Sequence, residues 1–306
     1  MAEERQWQGK TSGGKFGQHF LFVLLRHIKV TTLYPILYLI IPFCLLLSRK
    51  PNRALFNYFH QIHGYSRWRA LKATARTAHT FGKVVIDKFA LLAGRSDQFT
   101  VNIPDKHLFH NLLDQPSGFM LAGSHIGNFE LLGHCLKQDQ KPINGIIFGG
   151  ENPEMQQRRI ETFQENHVKL IPVMPDMSHL FAIKNALDNG EIITIHCDRI
   201  FGSPKKKMVE FLGHPAEFPI GPFRLAAQME IPILAVFLMK EKKRDYKGYL
   251  IPLTADTTLT SVTAQTEHLL HQYVTAVEDI LKQYPEQWFN LYDFWGLESK
   301  SGISKR

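Results

Sequence analysis

From about residue 100 onward, the chain alternates short apolar runs with stretches of helical pattern. The predicted strands cover residues 119–122, 143–148, 169–173, 192–197 and 233–239. The predicted helices cover residues 129–137, 153–166, 177–189, 222–229 and 261–283. Alternation of this kind is typical of a mostly parallel sheet with helices packed on it. The sequence therefore predicts an α/β fold with a mostly parallel central sheet flanked by helices.

A second constraint lies near the N-terminus, where the eighteen residues of Val30–Leu47 carry no charge and basic residues flank them on both sides. Eighteen apolar residues are just enough for a membrane-spanning helix. Pro35 and Pro42 weaken the case for one straight span, because each proline removes a backbone donor. Two interpretations remain, a buried helix of the core and an anchor in or on a membrane. We favour the anchor, an N-terminal hydrophobic membrane-associated helix.

The composition fits one folded body behind such an anchor. Hydrophobic residues make up 44% of the 306 residues and charged residues 21%, which is enough apolar material for a large core. The three cysteines form no disulfide framework or zinc pattern, and this is typical of a reducing compartment. We expect an N-terminal segment over residues 1–52 and a single α/β domain over residues 53–306.

The net charge of +8 favours anionic partners. Two basic stretches fit an acidic protein or a phosphorylated lipid: residues 205–207, and the lysines and arginine between Lys240 and Lys247. Basic residues also surround Trp68, but no recognised nucleic-acid motif accompanies them. We therefore expect an anionic membrane surface, and no nucleic acid, as partner.

Polar residues follow two of the predicted strands, at the sheet edge where parallel sheets bind their ligands. One cluster is GSHIGNFE, and the other is DRIFG. With Gly127 permitting a turn and Asn128 capping the next helix, Glu130 would accept a hydrogen bond from one nitrogen of His125. The other nitrogen would then take a proton from a substrate hydroxyl or amine. The pattern predicts His125 as a general base oriented by Glu130.

Other interpretations of this cluster are open. A histidine and a glutamate at this spacing also arise by chance in a chain with fifteen histidines. His125, Glu130 and His134 would suit a metal ion, but no second cluster of ligands accompanies them, so we expect no metal. Ser124 lacks the G-x-S-x-G context of a nucleophile elbow.

Four segments of the chain, in order, resemble blocks of the lipid A biosynthesis late acyltransferases, the lauroyl and myristoyl transferase type within the H-x4-D/E acyltransferases. GFMLAGSHIGNFELLG looks like the catalytic strand, turn and helix, and NGEIITIHCDRIFG resembles the second block. VEFLGHPAEFPIGPFRLAAQMEIPILAVF and YPEQWFNLYDFW are similar to the third and the C-terminal blocks. Four ordered blocks are far more specific than the His/Glu spacing alone.

The resemblance implies transfer of a fatty acyl group from acyl carrier protein or coenzyme A to a hydroxyl or amine of a membrane lipid. A lipid A precursor is the expected acceptor, and no cofactor is expected beyond the acyl donor. The resemblance also implies the cytoplasmic face of the bacterial inner membrane as the location. A departure near the C-terminus, where NLYDFW replaces a segment with two arginines, favours a side branch with another lipid acceptor.

The resemblance also implies substrate-binding residues. Arg158 or Arg159 matches an essential arginine, and we lean to Arg159; Asp198 matches an aspartate of the second block. Arg199 would add a phosphate or pantetheine contact. The backbone N–H groups of Gly127 and Asn128, or an arginine, would stabilise the oxyanion.

Two competing functions use the same residues. A lipid esterase or thioesterase would use the same base on water, and product analysis distinguishes it from a transferase. A non-catalytic lipid-binding protein would not depend on His125 or Glu130.

Overall fold

The computed structural model describes residue 25 and residues 27–136, 140–148, 168–174, 176, 178–200 and 205–297. The predicted helix over residues 153–166 lies outside these residues. Two of the predicted substrate-binding residues, Arg158 and Arg159, lie outside them as well.

The N-terminal part of the described chain is helical. Helix α1 (Val30–Leu33) continues through a 3-10 turn (Tyr34–Ile36) into α2 (Leu37–Leu47). Helix α3 (Arg49–Asn57) ends in a π-helical turn (Tyr58–Ile62), and α4 (Arg67–Leu92) follows. Ser66 caps α4, because its side chain accepts a hydrogen bond from Arg69 N.

The apolar segment Val30–Leu47 is helical over its length, with a mean hydropathy of 2.1, and only 22% of it is buried. It is long and apolar enough to cross a membrane, which by itself is weak evidence for membrane association. A helix of the protein core would be mostly buried, so the structure contradicts that alternative.

The remainder of the described chain is an α/β body. Its strands are β1 (Thr100–Asn102), β2 (Phe119–Gly123), β3 (Ile143–Phe148), β4 (Val168–Val173), β5 (Ile192–His196), β6 (Lys206–Phe211), β7 (His214–Pro219), β8 (Ile233–Lys242) and β9 (Asp245–Leu253). Its helices are α5 (Lys106–Leu113), α6 (Phe129–Cys135), α7 (Ser178–Asp188), α8 (Gly221–Met229) and α9 (Val262–Gln283), and a 3-10 turn (Pro285–Gln287) follows α9.

Seven strands form one twisted sheet in the order β1-β9-β8-β2-β5-β3-β4. The five strands from β8 to β4 run parallel, while β9 is antiparallel to β8 and parallel to β1. Strands β6 and β7 form a separate antiparallel hairpin. The predicted fold class, a mostly parallel sheet flanked by helices with an apolar N-terminal helix, is confirmed.

All five predicted strands are present, and β3 has the predicted bounds. The sequence prediction missed β1, β6, β7, β9 and α5. Strand β9 carries polar residues between its apolar ones, and the hairpin β6–β7 is half exposed. A continuous apolar run therefore predicts a strand well only where both faces of the strand are buried, as in the middle of the sheet.

Both faces of the sheet are covered by apolar layers. On one face, the side chains of Met120, Ala122 and Phe237 join a cluster with residues of α8 and α9. On the other, Phe119 and Leu121 pack with residues of α5 and α6. Strands buried on both faces hold their register firmly, so the positions of the residues that follow them are well determined.

Candidate active site

The register of two neighbouring strands places His125 beside Asp198. Parallel strands β2 and β5 pair residue by residue, and their last pair is Gly123 with His196. His125 and Asp198 each follow the end of their strand by two residues. They therefore meet at the carboxyl edge of the sheet, where α/β proteins bind their ligands.

Asp198 holds His125 through both carboxylate oxygens. The His125 Nδ1 atom lies 2.8 Å from Asp198 Oδ1, and the backbone N–H of His125 donates to Oδ2 at 2.9 Å. Burial by itself would raise the pKa of Asp198, but the His125 charge and hydrogen bond, with Arg199, hold it well below the ordinary value. An ionised carboxylate only accepts hydrogen bonds, so Nδ1 carries a proton in either form of the ring, and in the neutral form Nε2 has the lone pair.

The predicted hydrogen bond between His125 and Glu130 is wrong, because each of the two side chains has another partner. Glu130 is the second residue of α6, and its Oε1 atom accepts a hydrogen bond from Lys88 Nζ of α4 at 2.5 Å. The strand register already assigns Nδ1 of His125 to Asp198, while the start of α6 directs Glu130 toward Lys88. Asp198, predicted to bind substrate, is almost fully buried and positions the histidine instead.

Gly127 and Asn128 fix the turn between β2 and α6. Gly127 has φ +66°, and a Cβ atom there would lie 2.1 Å from the carbonyl oxygen of Leu238, so only glycine fits. The side chain of Asn128 caps α6 by accepting from Leu131 N, and its amide donates to Tyr246 at 3.2 Å. Both residues have structural roles, and Asn128 is fully buried.

The backbone donors of this turn are already engaged. Gly127 N donates to Gln287 O at 2.9 Å, and Asn128 N donates to Leu238 O at 2.8 Å. The prediction that these two N–H groups stabilise an oxyanion is therefore wrong. Leu238 of β8 and Gln287, which follows α9, already accept from these donors. Of the two oxyanion donors predicted from the sequence, only an arginine therefore remains.

A short segment after α9, Gln287 to Phe289, encloses the turn. Gln287 exchanges side-chain hydrogen bonds with the backbone of Lys240, and Phe289 N donates to His125 O at 3.1 Å. The indole N–H of Trp288 donates to Asp198 Oδ2 at 3.2 Å. Trp288 thus adds a third donor to the carboxylate, a role that sequence reasoning missed.

A second histidine lies against the first. The ring centroids of His196 and His125 are 4.7 Å apart, and Phe129 packs on His196 at 4.4 Å. Burial lowers the pKa of His196 to about 3, and the charge on His125 contributes to this shift. His196 is therefore neutral at physiological pH.

Polar atoms without a partner surround the pair. Within the described residues, Ser124 Oγ, His196 Nε2 and Arg199 Nε are buried and make no hydrogen bond. Ser124 and Arg199 are the chain neighbours of His125 and Asp198. Because buried polar groups are nearly always paired in folded proteins, such a group of atoms is typical of a site that receives a polar ligand.

The C-terminal segment holds Arg199 through two contacts among the described residues. Its Nη2 atom donates to Phe289 O at 3.1 Å, and its guanidinium lies 5.6 Å from the ring centroid of Tyr292. These contacts keep the positive charge next to Asp198.

In both basic stretches, some of the lysines that were predicted to face an acidic partner are paired within the protein. Lys206 and Lys207 form ion pairs with Glu217 and Glu267. Lys240 is buried and paired with Asp87 at 2.5 Å, so it belongs to the interior. Within the parts of the chain that the structure describes, no group of three His, Cys, Asp or Glu side chains is placed to hold a metal ion.

A family model described as bacterial lipid A biosynthesis acyltransferase matches residues 69–296. This range includes β2, His125, Asp198 and the segment around Trp288. A search of curated proteins found no match.

Proposed function

The chain belongs to the bacterial lipid A biosynthesis acyltransferase family, and from that premise we propose that it transfers a fatty acyl group from a thioester to a hydroxyl or amine of a lipid. The family indicates acyl transfer onto a lipid acceptor. We propose acyl carrier protein or coenzyme A as the acyl carrier and a lipid A precursor, or a related lipid, as the acceptor. The observation that carries the proposal is the His125–Asp198 pair at the carboxyl edge of a parallel sheet.

His125 acts as the general base in this proposal. Its Nε2 atom removes the proton from the acceptor hydroxyl as the oxygen attacks the thioester carbonyl carbon. The negative Asp198 stabilises the imidazolium ion that forms and keeps the ring in its productive orientation. When the carbon–sulfur bond breaks, the thiolate takes the proton from Nε2, and His125 returns to its neutral form.

A cation near the carbonyl oxygen completes the chemistry. The tetrahedral intermediate carries a negative oxygen that needs a fixed donor, and the Gly127–Asn128 turn has none to offer. We propose Arg199 as a donor to this oxygen or to a phosphate of the acyl carrier, since its Nε atom is buried and unbonded within the described residues. The family arginine, Arg159 or Arg158, would serve beside it.

Location and acyl carrier are part of the same proposal. We propose that the α/β body acts at the cytoplasmic face of the bacterial inner membrane. An acidic acyl carrier protein would bind the tip of the β8–β9 hairpin, where Lys242, Lys243, Arg244 and Lys247 lie close together.

The test is product analysis with purified full-length protein and a radiolabelled acyl thioester. We expect labelled lipid when a lipid A precursor is present, and no product above background from a His125→Gln variant. Free fatty acid released equally fast with and without the lipid would contradict the transferase and support a hydrolase. Circular dichroism of the variant confirms that the loss is not one of folding.

A further inference from the structure

The charge of this chain is distributed very unevenly. Residues 5–86 contain 13 lysines and arginines and no aspartate or glutamate, whereas residues 87–306 contain 23 basic and 26 acidic residues. The positive net charge therefore resides in residues 5–86, and the remainder of the chain is slightly acidic. A surface with so many cations and no carboxylate of its own favours an anionic partner.

Burial divides the apolar segment Val30–Leu47 into two halves. Val30, Leu33, Tyr34 and Leu37 are buried against α4. Val30 N donates to Gln98 at 3.0 Å, and the Tyr34 hydroxyl donates to Asp87 at 2.5 Å. These contacts hold one side of the first half against α4.

The second half, residues 38–47, has its apolar side chains in the open. The exposed fractions of Leu39, Leu46 and Leu47 are 72%, 73% and 83%. Ten helical residues extend about 15 Å, whereas the hydrocarbon core of a bilayer is about 30 Å thick. The exposed half is long enough to enter one leaflet and too short to cross both.

A basic groove begins where this helix ends. The side chain of Asn52 donates to Leu45 O at 2.7 Å, and Asn52 also lines an open groove of about 790 Å³ between α3 and α4. The wall is apolar at Phe56 and Leu71 and basic at Arg53 and Arg67. Trp68, the chain neighbour of Arg67, is largely exposed, as aromatic side chains are at the membrane–water boundary.

We propose that the segment Val30–Leu47 does not cross the membrane. Its exposed half inserts into a single leaflet, and the groove with Arg53 and Arg67 binds the phosphate of an anionic phospholipid at the same surface. This arrangement rests on the proposed lipid-acting function, and it adds to it a one-sided topology and a preference for anionic lipid.

Topology is tested by labelling single cysteines at the two ends of the segment. The variants Lys29→Cys and Lys50→Cys are made in full-length protein with Cys44→Ala and Cys135→Ala, leaving the buried Cys197. Right-side-out and inverted membrane vesicles are treated with a membrane-impermeant maleimide. We expect both positions to react from the same face, whereas reaction from opposite faces would overturn the proposal. Detergent-solubilised protein shows that both thiols are reactive.

Lipid preference is tested by sedimentation with vesicles of phosphatidylcholine alone or with about 30% phosphatidylglycerol. We expect wild-type protein to bind the anionic vesicles more tightly, and Arg53→Gln/Arg67→Gln to weaken that binding about tenfold or more. The control Lys184→Gln/Lys282→Gln removes two exposed cations from the α/β body and should bind like wild type. Equal losses in both double variants would overturn the groove. Neither assay contains an acyl donor, so their outcome is separate from that of the activity test.

Discussion

The protonation of a single imidazole decides whether this site can act as a base. A histidine can accept a substrate proton only at a nitrogen that has no hydrogen, and the partner of the other nitrogen determines which one that is. Asp198 occupies Nδ1 of His125 and directs its lone pair to Nε2. The carboxylate is itself held by His125 N and Trp288 Nε1, so the pair is fixed by three hydrogen bonds.

Glu130 forms an ion pair with Lys88 that joins α6 to α4 next to the turn carrying His125, and we propose that the pair supports this turn as a unit. We expect Glu130→Gln and Lys88→Met to reduce acyl transfer by the same factor, and the double variant to be no worse than either single variant. A double-mutant cycle on kcat measures this coupling. Additive losses, with Glu130→Gln much the larger, would show that Glu130 acts on the substrate or on His125 directly.

His196 makes the fold sensitive to acid. Its pKa is about 3 in the folded protein and about 6.5 when unfolded, so acid protonates the unfolded chain first. Its contribution to stability is complete above about pH 6.5 and declines as the pH falls toward 3. Between pH 7 and 5 we expect the free energy of unfolding to fall by about 2 kcal/mol more in wild type than in His196→Gln. Denaturant titrations at both pH values measure the difference, and equal declines would contradict it.

The residues of the site were predictable to different degrees. His125 and Asp198 were singled out from the sequence, but their pairing was not, because H-x4-E spacing drew attention to Glu130. The missing signal was the strand register: both residues stand two positions beyond the ends of adjacent strands, and adjacency becomes known only from the sheet order. The donor Trp288 is 90 residues from Asp198 in the chain, and no local pattern could connect them.

At the scale of elements, the site is the turn between β2 and α6, enclosed by two other parts of the chain. Strand β8 and the segment Gln287 to Phe289 take up the backbone donors between β2 and α6. Ile126 bridges to Trp288 and Gly127 to Leu238. Because neighbouring backbone fixes the turn on both sides, its geometry depends on the C-terminal segment as much as on β2.

Gly127 tests the tightness of this turn. Gly64 has the same φ of +66° but open space around its missing Cβ, whereas a Cβ at Gly127 would overlap Leu238 O. We expect Gly64→Ala to lower the free energy of unfolding by about 1 kcal/mol, the cost of the left-handed conformation. Gly127→Ala should cost several times more, because β8 must also shift. Equal melting temperatures for the two variants would contradict the close approach.

Trp288 tests the C-terminal segment as a positioning element. Trp288→Phe keeps an aromatic ring but removes the donor to Asp198, and we expect kcat to fall about tenfold with little change in KM or melting temperature. Trp295→Phe is the matched control, because the Trp295 indole N–H has no partner within the described residues. Equal kcat values for the two variants would assign Trp288 to packing alone.

At the scale of the whole molecule, the excess positive charge and the exposed apolar side chains occur in the same N-terminal part of the chain. The N-terminal helices carry the positive charge and the exposed leucines, while the α/β body carries the site at its sheet edge. The sequence alone predicted the α/β class and the apolar segment, because both leave periodic or continuous apolar patterns. It did not predict that four residues in the first half of that segment are buried against α4, since burial depends on residues far along the chain. The division into residues 1–52 and 53–306 stays a prediction, and the helices α3 and α4 join the two parts closely.

The most direct measurement is the turnover of an Asp198→Asn variant with a labelled acyl thioester and a lipid A precursor. The amide has the same shape as the carboxylate but carries no charge, so it can neither stabilise the imidazolium nor fix the proton on Nδ1 of His125. We expect kcat to fall about 100-fold or more, with the variant folded and KM for the acyl donor little changed. A folded Asp198→Asn variant that transfers acyl groups at the wild-type rate would contradict the assignment of His125 and Asp198 as base and positioning residue.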